Sequence, residues 1–355
     1  MIKGRSSQID GVRCVCNYLI VLFHGTTIMQ FAKGDSFEAD FWRIICRGWS
    51  ATVLAALFFI SGYLMESGFD STAYWGKIKR RLPRLAFPYV VWNFLFVLVY
   101  LILSLFSAEY SSRVEAQGLN TISGCFSRVF CLFDAPLDGP LWFIRTLLLF
   151  AIIFPAWHWL IERWHGLLCM AVVLGWSIIS HFLGVEDDLV FSFPSYAIIS
   201  FSLGACFNCH KVPFEKVTNR VVLFLALGIL IVRSCVVALH WELGIWFRNL
   251  SFVMMVPVWA MMGMKLGEWF GASRVFVRMK DVSYFVYACH VLICPLFSHG
   301  IAWLLPRQFP GRISILIFGY VVGGCLCCLV LNNVLSKLFP RIALLLNGEL
   351  KWNMR

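Results

Sequence analysis

Apolar runs follow one another along this chain from residue 12 to residue 338, each set off by a short polar stretch. Most are about 17–25 residues long, the length an α-helix needs to cross a hydrocarbon core about 30 Å thick. The pattern predicts helices over residues 12–32, 49–68, 85–107, 141–161, 166–184, 193–209, 220–239, 246–265, 282–303 and 313–338. That is an all-α, polytopic transmembrane bundle of about ten membrane-spanning helices. Pro155, Pro194, Pro257 and Pro295 interrupt several runs, as membrane bundles tolerate. No internal repeat or low-complexity tract stands out. One integral-membrane domain spanning 1–355 is the expected organisation.

The polar positions inside these runs are few and patterned. The first run opens DGVRCVCNYLIVLFH. At about 100° per residue, Asp10, Arg13, Asn17 and His24 fall within about 60° of one another on a helix. One polar stripe therefore climbs an otherwise apolar cylinder, from a carboxylate and guanidinium to an imidazole about three turns higher. Ionisable groups at such depth are costly and mark a bundle interior or a water-filled path. The segment SYFVYACH carries a second stripe, since Ser283, Tyr287 and His290 lie within about 60° of each other; Asn17, Ser283 and Tyr287 are expected to bind substrate and His290 to share in catalysis, against a structural reading of His290 taken alone. Imidazole can take a proton from a hydroxyl near neutral pH, so His24 reads as a general base or an acyl acceptor. The bland alternative is a buried histidine bonded to a neighbouring helix. Arg13 cannot shed its charge and needs an anion, either Asp10 or a ligand phosphate.

Two further basic positions stand out. KIKRRLPRLAFPYVVW places Arg81 and Arg84 three residues apart at the mouth of the third helix. This is either a topology anchor against anionic lipid or a cradle for donor phosphates. In GPLWFIR, Arg145 sits about one turn inside the fourth helix, behind Trp142. It would either snorkel outward or, with Trp142, line an outer acceptor side. Glu66 reads as a helix-end charge.

Composition agrees with the pattern. The 355 residues are 60% hydrophobic and 14% charged, against about 25% charged in a soluble domain. The net charge of +11 would raise nucleic acid as a partner in a soluble protein. Here the bases sit in short loops. Of the 30 Lys and Arg, 19 fall at the termini and in the loops after helices 2, 4, 6 and 8. Another 8 lie in the alternate loops, and Arg13, Arg145 and Arg233 remain within helices. That bias places both termini in the cytoplasm. The first run has no small-residue cleavage site after it and is expected to be a retained helix. Most of the 14 Cys lie in apolar runs as small hydrophobes. Cys206-Phe-Asn-Cys209-His210 matches the form of a haem attachment site. It falls in a loop expected on the cytoplasmic side and is read as coincidence. There is no Walker glycine loop, His-Glu-x-x-His pattern or Gly-x-Ser-x-Gly elbow, and no metal is expected.

Arg13 followed ten residues later by His24, FFISGYL at 58–64, Arg81-x-x-Arg84 before PYVVW, LWFI at 141–144 and SYFVYACH at 283–290 together resemble the acyltransferase family 3 membrane proteins. The similarity runs in family order over nearly the whole chain. It implies a bacterial inner-membrane enzyme that takes an acyl group, usually acetyl, from cytoplasmic acyl-coenzyme A. The acceptors it implies are hydroxyls of surface polysaccharides or lipid-linked sugars. It implies His24 as the catalytic residue, Arg13 as an aid to donor binding, and Arg81 with Arg84 as the basic pair at the donor entrance. The added periplasmic domain of some members is not expected here. Acetyl-coenzyme A is then the donor substrate, and the expected partners are the saccharide acceptor and membrane lipid, with no nucleic acid. A secondary transporter of a polar or anionic solute would use the same intramembrane charges and is the rival reading.

Overall fold

The computed structural model describes residues 2–31, 36–67, 69–131, 136–164, 188–189, 193–241 and 244–348, with positions 171, 175 and 179. The helices in chain order are α1 (Ile2–His24), α2 (Phe37–Arg43), α3 (Val53–Ser67), α4 (Tyr74–Ser104), α5 (Ala108–Ala116), α6 (Ile122–Val129) and α7 (Trp142–Trp164). They continue as α8 (Ser195–Cys209), α9 (Arg220–Ala238), α10 (Ile245–Met254), α11 (Val256–Phe270), α12 (Arg274–Leu304), α13 (Arg312–Phe318), α14 (Gly324–Leu338) and α15 (Pro340–Leu346). A two-residue antiparallel pair joins Asp188 to Pro194 and Leu189 to Phe193.

Among the described residues, eight helical segments are long and apolar enough to cross a membrane. They are Ser7–Ile28, Phe37–Ser67, Leu82–Ser104, Gly139–Arg163, Arg220–Ala238, Ile245–Phe270, Arg274–Leu304 and Arg312–Leu338. The all-α, polytopic bundle read from the sequence is thus observed. The helix expected over 166–184 lies largely outside the described residues. The one expected over 193–209 is a 15-residue helix. At 1.5 Å per residue it spans only about 22 Å, because Pro194 stands at its N-cap. The second span starts at Phe37, well before the expected residue 49. Ser36 caps α2 by accepting from the Ala39 N–H at 3.2 Å, and a π-helical turn over Ile44–Trp49 carries the chain on. Three charges in this segment find partners. Arg43 pairs with Asp40, and Glu38 accepts from the Ser314 backbone N–H and hydroxyl, each at 2.7 Å.

By its contacts the chain divides into two compact units, Met1–Phe69 with Pro155–Leu329, and Asp70–Phe154 with Val330–Arg355. In the first, helices approach backbone to backbone. Helices in lipid gain little from the hydrophobic effect and associate through close packing, which small residues permit. A Cβ added to Gly263 of α11 would stand 2.3 Å from the Val12 Cα of α1, and one on Gly11 would stand 2.4 Å from the Gly263 carbonyl oxygen. Gly62 of α3 and Gly204 of α8 meet the backbones of Phe201 and Phe59 in the same way. The first of these seams holds α1 against α11 at fixed height and rotation.

The second unit packs Val97, Val114, Leu119 and Val129 of α4, α5, α6 and the turn between them into one apolar cluster. Tyr74 donates to the Ala151 carbonyl, Tyr89 donates to the Cys131 carbonyl, and Trp92 Nε1 donates to the Leu346 carbonyl at 3.3 Å.

Candidate functional site

The two polar stripes meet. α1 and α12 pack side by side in the first unit. The Asn17 amide donates to the Ser283 hydroxyl at 3.3 Å, and the Ser283 hydroxyl donates on to the Lys280 carbonyl at 2.9 Å. Tyr18 donates to the Met279 carbonyl at 3.2 Å. Seven residues above Asn17 stands His24, and seven above Ser283 stands His290. Their ring centroids lie 5.0 Å apart, tilted by 55°. The common step of seven shows that the two helices run parallel and in register, so contacts at one level recur two turns later.

The two imidazoles have different surroundings. His290 is 0% exposed. Its Nδ1 lies 2.7 Å from the Tyr287 carbonyl. A carbonyl only accepts, so that nitrogen carries a proton. Nε2 is buried without a hydrogen bond. His24 is half-buried and closes the last turn of α1. Among the described residues its ring makes no hydrogen bond. It touches Phe23 edge-on at 5.0 Å and His290. The expectation of a buried histidine tied to a neighbouring helix is therefore not met.

Lower on α1, Asp10 lies 3.8 Å from Lys280 Nζ. The carboxylate offered as the partner of Arg13 thus also reaches α12, while it still attracts the Arg13 guanidinium. Tyr287 is buried at 3% exposure; its main-chain oxygen meets His290 Nδ1, and its ring stands 6.4 Å from the His290 ring.

The remaining expected residues belong to the second unit. Arg84 is exposed on α4, while the side chain of Arg81 lies outside the described set. Trp142 is half-buried at the start of α7. Arg145 is 1% exposed, so it does not snorkel to the surface. Just before this helix, both Asp138 carboxylate oxygens are buried without a hydrogen bond. That burial pushes the carboxyl well above the usual carboxylate range.

Two groups escaped the sequence reading. Arg233 of α9 is 4% exposed. It donates to the Gly48 carbonyl at 2.5 Å, the Ser251 hydroxyl at 2.8 Å and the Arg47 carbonyl at 3.0 Å. A π-helical turn frees carbonyls from the usual ladder, and this guanidinium caps them while resting 5.1 Å over the Phe252 ring. The signal was a lone cation in an apolar run. Glu66 is more than a helix-end charge. Its carboxylate lies 2.9 Å from His158 Nδ1, and the His158 ring stacks on Phe69 at 3.9 Å. Among the described residues no group of His, Cys, Asp and Glu is arranged for a metal ion.

A family model described as an acyltransferase domain matches residues 6–332. A curated relative, the succinoglycan biosynthesis protein ExoH of Rhizobium meliloti (strain 1021), is 24% identical over 323 residues, covering 82% of this chain and 77% of the relative. No solved structure matches the chain.

Proposed function

The chain belongs to the acyltransferase family whose domain it carries over residues 6–332, and from that premise we propose that it moves an acetyl group from acyl-coenzyme A to a hydroxyl of a surface polysaccharide or lipid-linked sugar. It is a multi-pass membrane acyltransferase. The inner membrane of a bacterium is the setting that the relative and the charge bias favour. The polysaccharide acceptor follows the relative's role in succinoglycan biosynthesis.

The observation that carries the reading is the unengaged imidazole of His24 beside His290. In this mechanism the acyl donor enters from the cytoplasm, with a phosphate against Arg13. Arg81 and Arg84 take the phosphate-binding role that the resemblance gives them. His24 removes the proton of the acceptor hydroxyl, and the oxygen attacks the thioester carbonyl. The carbon–sulfur bond breaks, an ester bond forms, and the coenzyme A thiolate takes the proton back from His24. His290 stays neutral and holds the ring beside it. Trp142 and Arg145 are assigned to the acceptor, and Asn17, Ser283 and Tyr287 set the register of the two helices.

Incubation of the purified protein with acetyl-coenzyme A labelled in the acetyl group, together with candidate saccharides, tests this. Labelled saccharide and free coenzyme A in equal amounts are expected. Solute movement across proteoliposomes with the thioester left whole would overturn the proposal in favour of a transporter.

A further inference from the structure

The hairpin that follows α4 carries an apolar face that its own packing leaves uncovered. On a helical projection of α6 and its cap, Cys125, Val129, Ile122, Phe126 and Phe130 share one arc of about 140°. Ser123, Ser127 and Arg128 lie on the remainder of the circle. Half of the apolar arc is used. Val129 is buried in the cluster with Val97, and Cys125 packs against it. The other half is not, since Ile122 is 81%, Phe126 62% and Phe130 54% exposed. The two phenyl rings lie nearly parallel, 6.1 Å apart.

The place of α6 along α4 says what covers this face. The membrane-crossing part of α4 is Leu82–Ser104. Val97 stands seven residues, about 10 Å, before Ser104, and Tyr89 fifteen residues, about 22 Å. Val129 shares a cluster with the first, and the Cys131 carbonyl accepts from the phenol of the second. The C-terminal end of α6 is therefore held beside the span and below its end. On α4 itself Phe94, Leu98 and Ile102 form an exposed stripe, which borders the side that Val90, Val97 and Leu101 turn to the cluster. α5 is the wet part of the hairpin. Glu109, Arg113 and Glu115 are exposed on it, with Arg113 paired to Glu109 at 2.6 Å.

A helix with one apolar and one polar arc, held at the end of a span, suits the boundary between headgroups and acyl chains, where such helices bury their apolar side about 5–10 Å. A second copy of the chain fits less well. At about 150–250 Å² for a large side chain, the exposed parts of Ile122, Phe126 and Phe130 amount to about 400 Å². A stable protein interface takes about 800 Å² from each partner. We propose that α6 is an interfacial anchor, with Ile122, Phe126 and Phe130 seated among the lipid acyl chains of the leaflet in which α4 ends. The proposal does not rest on the catalytic reading.

Photocrosslinking of the full-length protein tests it without an activity assay. The photoreactive residue p-benzoylphenylalanine would be placed in turn at Phe126, Phe130 and the exposed Ser127. At the first two it replaces one aromatic ring by another, and the elution profile of each variant shows that it folds. The proteins would be reconstituted in vesicles of phosphatidylethanolamine and phosphatidylglycerol in equal amounts, irradiated and weighed by mass spectrometry. At positions 126 and 130 a mass gain of one phospholipid is expected, with fragmentation placing the new bond on an acyl chain. Loss of that adduct is expected at position 127. Lipid adducts of equal yield at all three positions, or none at 126 and 130, would overturn the proposal. Crosslinks from position 126 to a second copy of the chain would overturn it in favour of a dimer.

Discussion

Gly263→Ala is a small change with a calculable effect on where His24 sits. The added Cβ would stand 2.3 Å from the Val12 Cα and 2.8 Å from the Val12 nitrogen, about 1.1 Å inside the 3.4 Å at which ordinary contact begins. The obstacle is backbone on both sides, so no rotamer change relieves it. α1 and α11 must part by about 1 Å along this seam. Overpacking of this size costs about 1–3 kcal/mol, and a 1 Å misplacement of a reacting group can cost about 10²-fold in rate. Gly228→Ala is the matched control, because a Cβ there meets nothing within 4 Å, and alanine favours the helix by up to about 1 kcal/mol. Thermal unfolding in detergent and acetyl transfer per folded molecule should both fall for Gly263→Ala and hold for Gly228→Ala. A Gly263→Ala protein with the stability and rate of the wild type would refute the claim that this seam fixes α1.

Three further changes probe separate parts of the account. Arg233→Lys keeps the charge but cannot reach the Gly48 and Arg47 carbonyls and the Ser251 hydroxyl together. It should destabilise by about 2 kcal/mol or more in a denaturant titration; unchanged stability would mean that the freed carbonyls of the π-helical turn need no cap. Asp138→Asn should stabilise the protein. The Asp138 carboxyl is raised in the folded state, so its protonated form is favoured there and stability is lost as pH climbs above the unfolded value. The melting-temperature gap between Asn and Asp should therefore widen from acid to neutral pH, and a gap that is constant or reversed would contradict it. His290→Phe keeps a ring against His24 but removes its nitrogens. Without the bond from Nδ1 to the Tyr287 carbonyl that fixes this ring beside His24, transfer should drop about tenfold or more, whereas an unchanged rate would reduce His290 to a packing residue.

The stripe of Asp10, Arg13, Asn17 and His24 was legible because a helix of known pitch converts spacing into direction. That the stripe of Ser283, Tyr287 and His290 faces it was not. Asn17 and Ser283 are 266 residues apart, and periodicity within one helix says nothing about which other helix it meets. The seam that brings them together had a sequence mark in the four-residue spacing of Gly263, Gly267 and Gly271, which signals close helix packing. Arg233 stood out as a lone cation, but its partners are backbone carbonyls freed by a π-helical turn, which leaves no residue pattern to read. The span over 193–209 fell short because an apolar run gives composition, and Pro194 decides where the helix can begin.

The central claim is that the His24 imidazole performs the proton transfer of acylation. Its most direct test is the rate at which His24→Ala protein, reconstituted in proteoliposomes, turns acetyl-coenzyme A and saccharide into free thiol and acetylated product. A fall of about 10²–10⁴-fold, with the elution profile and thermal stability of the wild type kept, is the predicted result. Transfer within about twofold of the wild-type rate would contradict the account.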